Sequence, residues 1–319
     1  MKICINNLEG RLKNLNIGPV IFTKRLAKEL GNLGVEIVEK DSPHDVLLVV
    51  GDDSNTPGKI DNSRKKGAKI IQRLDGIYHV PDRDLDELNR PIKENFQKTD
   101  AVIYQSEFSR KMVEKYFGKN KNQHFVIPNG VSPNEFCNNS NKDGKTIFLC
   151  SAKWREEKRL KSTVEGFEYS KIPNSELWVL GEPDYLLERK NIVYFGEVDS
   201  RELPNFYNQA DFFIHLCYDD PCPNSVIEAL VSRLSVICTS NGGTKELVKN
   251  SGEVILEGEY DLEPYYMGEI PEVNRVRVRE ALLNSIKRRD RYDFPREDLY
   301  IENVAKRYKQ AFEEVLDSR

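Results

Sequence analysis

The chain has 319 residues, a length that fits two typical domains, and its 48 Lys and Arg against 52 Asp and Glu leave a net charge of −4. That balance carries no global signature for nucleic-acid binding. The 39% hydrophobic share suffices for two cores, and 19 glycines with 15 prolines exclude a collagen-like or wholly disordered chain. No apolar run reaches the roughly 18–20 residues of a membrane helix. The opening Met1-Lys2-Ile3-Cys4-Ile5 enters a strand without the apolar core of a secretory signal. Six cysteines with no metal spacing fit free thiols in a reducing, cytoplasmic compartment.

In chain order, residues 2–5 read as a strand and 19–33 as an amphipathic helix closed by Gly34. Residues 35–38, 45–50, 68–73 and 101–105 are further apolar strands, with helical segments between and after them. The alternation predicts a parallel sheet with crossover helices, and the near-continuous apolar strands predict cover on both faces. A polar, turn-prone stretch at 134–144 interrupts the pattern. It restarts with strands at 146–151, 177–180, 192–195, 212–216, 236–239 and 254–256, and helices at 160–169, 203–209, 225–233 and 245–249. A basic helix at 273–291, Pro295 and an amphipathic helix from 298 to 316 complete the chain. The expectation is α/β, with two doubly wound domains: 1–140, 141–298 and a C-terminal helix at 299–319. Ligands of such sheets bind at strand carboxyl ends, so a cleft between the domains is the default site.

Three strand–loop–helix junctions of the second half carry chemistry. Asp219-Asp220-Pro221-Cys222-Pro223-Asn224-Ser225-Val226-Ile227-Glu228 places one acid on a loop and another inside a helix, around a helix start capped by Asn224 or Ser225. Unpaired first-turn N–H groups suit a phosphate, and a carboxylate suits a vicinal diol. In Thr239-Ser240-Asn241-Gly242-Gly243-Thr244-Lys245-Glu246 the glycines permit close backbone approach to an anion or sugar. Lys153 and Lys158, in Lys153-Trp154-Arg155-Glu156-Glu157-Lys158, supply cations able to stabilise a leaving diphosphate without a metal. Read singly, each is also an ordinary capped helix, a turn or a solvated charged face.

Together these segments resemble the nucleotide-sugar domain of the GT-B glycosyltransferases of family 4, the "glycosyl transferases group 1" type. Further matches are Ile127-Pro128-Asn129-Gly130-Val131 and Tyr194-Phe195-Gly196-Glu197-Val198. The resemblance is specific over about residues 100–250. It implies two Rossmann-like domains facing a cleft, with the C-terminal helix returning to the first. It implies that Lys153 and Lys158 bind the diphosphate, that Glu228 holds the ribose and that Asp220 touches the donor sugar. Asn224, Ser225 and Val226 would offer N–H groups, Gly242, Gly243 and Thr244 would border sugar and phosphate, and Glu197 and Val198 would lie near the base. Three positions depart from the family: Lys153 replaces an arginine, Asp220 a glutamate, and Arg233-Leu234-Ser235-Val236 a Gly-x-Pro-Val.

The first domain would take the acceptor. Gly18 stands where the family has its glycine loop. Arg73, Asp75, Tyr78 and His79 cluster after a strand, where Asp75 or His79 could orient an acceptor hydroxyl. The alternative there is an Asp-Gly turn with a surface histidine. Ser106-Glu107-Phe108-Ser109 reads as a helix start, His124 as preceding a strand, and His215 as a core or edge histidine.

The expectation is a hexosyltransferase that uses a nucleoside diphosphate sugar and a glycan, lipid-linked or small-molecule acceptor. It needs no cofactor and no metal, and retention is implied by the family. Asp82-Arg83-Asp84 has the spacing of a metal motif but lies in the acceptor domain. The arginines of 273–291 read as a solvated face, with at most a weak peripheral contact at the inner membrane surface. The alternatives are a sugar-nucleotide epimerase or hydrolase on the same fold, and a non-catalytic nucleotide-sugar or glycan binder.

Overall fold

The computed structural model describes residues 1–8, 18–51, 56–78, 83–136, 144–184, 186, 187, 189–258, 262 and 270–318. Contacts divide the chain into Met1–Gly130 with Asp298–Arg319, and Val131–Glu297. The change-over therefore precedes the polar stretch at 134–144.

In the first unit, β1 (Lys2–Ile5), α1 (Gly18–Asn32), β2 (Glu36–Val38), β3 (Val46–Val50), α2 (Thr56–Lys65), β4 (Lys69–Leu74), α3 (Leu85–Gln97), β5 (Ala101–Tyr104), α4 (Glu107–Phe117) and β6 (Gln123–Val126) follow in order. The six strands form one parallel sheet in the order β2-β1-β3-β4-β5-β6. All five residues of β3 are buried, as a strand covered on both faces requires. Sequence periodicity missed β6 because it is an edge strand with two exposed polar residues; His124 lies inside it, not ahead of it. Ser106 caps α4 by accepting from Ser109 N at 3.0 Å. Asp84, one end of the Asp-x-Asp spacing, caps α3 by accepting from Glu87 N at 2.7 Å. Asp82 lies outside the described residues.

The second unit contains α5 (Pro133–Phe136), β7 (Thr146–Ser151), α6 (Leu160–Ser170), β8 (Ser175–Leu180), β9 (Ile192–Gly196), α7 (Leu203–Gln209), β10 (Phe212–His215), α8 (Asn224–Val231), β11 (Ser235–Thr239), α9 (Thr244–Val248), β12 (Gly252–Ile255) and α10 (Arg275–Arg288). Its parallel sheet has the order β12-β11-β10-β7-β8-β9. From β7 the chain runs outward to β8 and β9, then returns past β7 to β10. The strand order reverses there, so the carboxyl ends of β7 and β10 flank a switch point where a doubly wound sheet binds ligands. Phe148, Phe167, Leu177, Phe212 and Leu282 belong to the core of this unit.

The chain then returns to the first unit through α11 (Ile301–Asp317), which buries Ile301, Val304, Tyr308, Phe312 and Val315 in that core. Phe22 and Tyr308 meet with ring centroids 6.0 Å apart. A Cβ on Gly130 would lie 2.9 Å from Val304 Cγ2 and 3.1 Å from Leu299 O. The helix approaches that closely because residue 130 has no side chain. Among the described residues no helix is long and apolar enough to cross a membrane. The basic face of α10 is tied down at several points. Arg288 pairs with Glu253 at 2.7 Å, Arg275 covers the Tyr169 ring at 4.8 Å, and Arg277 donates to Leu256 O at 2.5 Å.

Candidate active site

The loop after β7 is held by a close approach. Trp154 Nε1 donates to Leu180 O at 2.9 Å, and a Cβ on Gly181 would sit 2.0 Å from Ala152 O. Only glycine, here at φ +94°, lets the end of β8 come so near. The loop then makes one 3-10 turn, Glu156–Lys158, and Arg159 takes a left-handed φ of +51° before α6. The turn separates the two expected lysines. Lys153 is exposed, whereas Lys158 is mostly buried and bonds Asp220 Oδ2 at 2.7 Å.

Asp220 lies on the loop after β10, 62 residues from Lys158 in sequence. Its Oδ1 accepts from Cys222 N at 3.3 Å, which fixes the carboxylate against its own turn. Burial alone would raise the Asp220 pKa, but the Lys158 ammonium and then His215 hold it well below the ordinary carboxylate range. Burial is the largest influence on Lys158 and opposes its charge, yet with Asp220 beside it the ammonium is held above the ordinary lysine value. His215, inside β10 as expected of a core histidine, lies 3.7 Å from Asp220 Oδ2 and makes no hydrogen bond through Nε2. Burial lowers its pKa.

His215, Cys217 and Asp220 bring potential ligand atoms within 4.8 Å of one another. The donor set suits an ion poorly. Burial pushes the Cys217 thiol up to about 12, so it is protonated at neutral pH, and the Lys158 ammonium already bonds the carboxylate.

The glycine loop packs directly on this acid. A Cβ on Gly242, at φ +96°, would lie 2.8 Å from Asp220 O and 2.9 Å from Asp220 N, and Gly243 N donates to Asp220 O at 2.8 Å. Thr244 opens α9 and is buried. A second tie lies behind the pair. Buried Arg159 donates to Glu257 Oε1 at 2.6 Å and covers the Tyr218 ring at 4.8 Å, while Ser240 Oγ accepts from Glu257 N at 3.0 Å. Tyr218 N also donates to Glu157 O at 2.8 Å. The loops after β7, β10, β11 and β12 are therefore one connected set, and Arg159 and Glu257 are its unanticipated members.

Asn224 and Ser225 open the first turn of α8, but the cap position is Pro223, with no side-chain cap bond. This corrects the expectation that Asn224 or Ser225 is the cap. Val226 is fully buried and its N–H turns back to Pro223 O at 3.2 Å. Glu228 lies further along α8 and accepts from the Tyr207 hydroxyl at 3.2 Å. Tyr207 is itself buried between Phe136 and Phe213, which made it look like core alone. Glu197 and Val198 follow β9, the edge strand two places from β7, and Glu197 is exposed. Among the described residues no contact joins them to Lys158 or Asp220.

In the first unit, Gly18 is the first residue of α1. Asp75 follows β4, and its backbone oxygen accepts from Ser109 Oγ at 2.9 Å. Tyr78 is 39% exposed. His79 lies outside the described residues.

The chain is similar to known glycosyltransferases in sequence and in fold. Residues 132–261 match the family model for glycosyl transferases group 1. The O-antigen biosynthesis glycosyltransferase WbnH of Escherichia coli is 25% identical over 173 residues, 51% of this chain and 48% of that protein. The uncharacterized glycosyltransferase MJ1059 of Methanocaldococcus jannaschii is 24% identical over 193 residues, 54% of this chain and 47% of that protein. The chain thus spans about half the length of the curated relatives it matches. Among solved structures, Anabaena Alr3699/HepE in complex with UDP and glucose superposes with a TM-score of 0.66 at 13% identity, over 98% of this chain and 100% of that one. A glycosyltransferase from Rickettsia africae gives 0.64 at 14% identity, over 100% and 99%. Residues 132–261 are therefore a glycosyl transferases group 1 domain, carried by a chain with the two-sheet GT-B fold.

Proposed function

We propose that the protein transfers a hexose from a nucleoside diphosphate sugar to an acceptor hydroxyl, with retention and without a metal. The observation that carries this reading is the Lys158–Asp220 pair at 2.7 Å, set at the switch point with the Gly242–Gly243 backbone against it. Lys158 and the exposed Lys153 face the diphosphate. Asp220 meets the sugar, and Glu228, held by Tyr207, meets the ribose. Asn224, Ser225, Gly242, Gly243 and Thr244 line sugar and phosphate, while Glu197 and Val198 lie near the base. The bond from the anomeric carbon to the β-phosphate oxygen breaks, and the acceptor oxygen bonds to that carbon on the same face. The acceptor proton passes to the departing phosphate, whose charge Lys158 stabilises.

Asp75 and His79 of the first unit orient the acceptor hydroxyl. A glycan acceptor is favoured by the likeness to an O-antigen biosynthesis glycosyltransferase. The protein works in the cytoplasm, and any membrane contact is peripheral.

Incubating the protein with anomerically labelled UDP-, GDP- and ADP-hexoses and a panel of glycan acceptors tests this reading. The expected result is a product with the donor's anomeric configuration, undiminished by EDTA. Free epimer, free hexose or donor binding without turnover would each overturn it.

A further inference from the structure

The carboxylate oxygen that Lys158 holds has a second claimant. Asp220 Oδ2 accepts from Lys158 Nζ at 2.7 Å, and His215 Nε2 lies 3.7 Å from the same atom. At that distance the imidazole makes no hydrogen bond, and Nε2 is buried without a partner. An approach of about 1 Å would make one. His215 is held in place for it. Its backbone is in register with Cys238 of β11, and its ring stacks on Phe213 with centroids 6.4 Å apart.

The charges at this oxygen balance in the free protein. Lys158 brings one positive charge and Asp220 one negative, and these are the two charges acting on His215. The neighbouring thiols add none, because burial pushes Cys217 and Cys238 up to about 12. Arg159, next to Lys158 in the chain, is matched by Glu257. Burial, with the Lys158 ammonium, keeps His215 neutral against the pull of Asp220.

A diphosphate upsets that balance. The Lys158 and Asp220 side chains are 16% and 14% exposed, so an anion and a proton can both reach the pair. As Lys158 turns to the phosphate oxygens, Asp220 keeps Cys222 N on Oδ1 but loses a full charge at Oδ2. An uncompensated buried carboxylate is costly, and histidine is the side chain that gains a charge near neutral pH.

We propose that His215 is a positioning residue for Asp220: as a sugar nucleotide draws Lys158 to its diphosphate, His215 takes up one proton from solvent and Nε2–H donates to Asp220 Oδ2. The proposal rests on the transferase reading and adds a proton to its donor-binding step. The imidazolium keeps Asp220 ionised and aimed at the sugar while the lysine is occupied elsewhere.

The test titrates UDP-, GDP- and ADP-glucose into the full chain by calorimetry, in buffers of unlike ionisation enthalpy. Their diphosphates carry no proton that exchanges near neutral pH, so any uptake belongs to the protein. About half a proton or more per bound nucleotide is expected at pH 7, with affinity falling about fivefold from pH 6.5 to pH 8. His215→Gln keeps a donor for Oδ2 but gains no charge, and it should bind with no proton uptake and a flat pH profile. If that variant does not fold, Asp220→Asn, which removes the charge to be matched, must abolish the uptake instead. Binding without uptake in the wild type, or uptake that survives in the variant, overturns the proposal and leaves the transferase reading standing. Binding of none of the three sugar nucleotides overturns both.

Discussion

The two sheets have the same parallel architecture and opposite electrostatics at their carboxyl edges. At that edge of the second unit, two buried cations meet acids: Lys158 with Asp220, and Arg159 with Glu257. In the first, among the described residues, the buried Arg73 meets neutral amides and a ring. The pairing in the second unit still leaves Arg159 Nε and Nη2 and Glu257 Oε2 buried without partners. The fold sets where ligands come, and a few side chains set what charge they bring.

The largest effect should follow from breaking the paired edge. Lys158→Ala leaves the Asp220 carboxylate buried and alone, and removal of one partner of such a pair costs about 3–5 kcal/mol. Transfer should fall about 10²–10³-fold, as when one stabilising donor is lost from a transition state. Urea unfolding of Lys158→Ala, Asp220→Ala and the double variant measures the coupling. A double variant no more stable than Lys158→Ala would show that the two side chains do not act as a pair.

Next in size is Gly242→Ala. The added Cβ would meet the Asp220 backbone at 2.8 and 2.9 Å, from a φ of +96° that a side chain resists. A loss of about 1–3 kcal/mol is expected, with weaker nucleotide-sugar binding because the loop bearing Asp220 must move. Unchanged affinity for the sugar nucleotide by calorimetry would mean that this loop contact does not shape the site.

These two predictions rest on contacts of different legibility. The strands were readable because five-residue apolar runs such as Val46–Val50 need a sheet covered on both faces. The edge strand β6 was not, since half of it faces water. Lys158 and Asp220 were each visible as charges on loops, but nothing in the sequence showed that they pair across 62 residues. Tyr207 was hidden because its ring packs as core while its hydroxyl serves Glu228. Asn6 and Asn7 gave no signal at all. Only the fold shows both of them buried, in the short turn that follows β1.

A smaller effect concerns pH. Burial lowers the pKa of His215, so the folded protein keeps it neutral while the unfolded chain takes up a proton below its ordinary value of about 6.5. Its contribution is complete above that value and is lost as pH falls below it. The wild type should lose up to about 1.4 kcal/mol more than His215→Gln between pH 7.5 and pH 5.5. Asp220 adds no slope in this window, because its lowered pKa delays its own loss until pH drops below the ordinary carboxylate range. Parallel urea midpoints for the two proteins across the window would show that His215 is protonated at Asp220 after all.

The smallest effect separates the two lysines. Lys153 is exposed on the same loop that buries Lys158, so Lys153→Ala should leave the urea midpoint unchanged within about 0.5 kcal/mol. It should weaken donor binding only about three- to fivefold, with a loss that shrinks as salt rises, because an exposed charge is screened. The Lys158→Ala loss should persist at high salt, since its pair is shielded from solvent. If both variants lose affinity equally and with the same salt dependence, burial does not divide the lysines. The contrast would then lie in how many charges each edge presents, and not in how they are held.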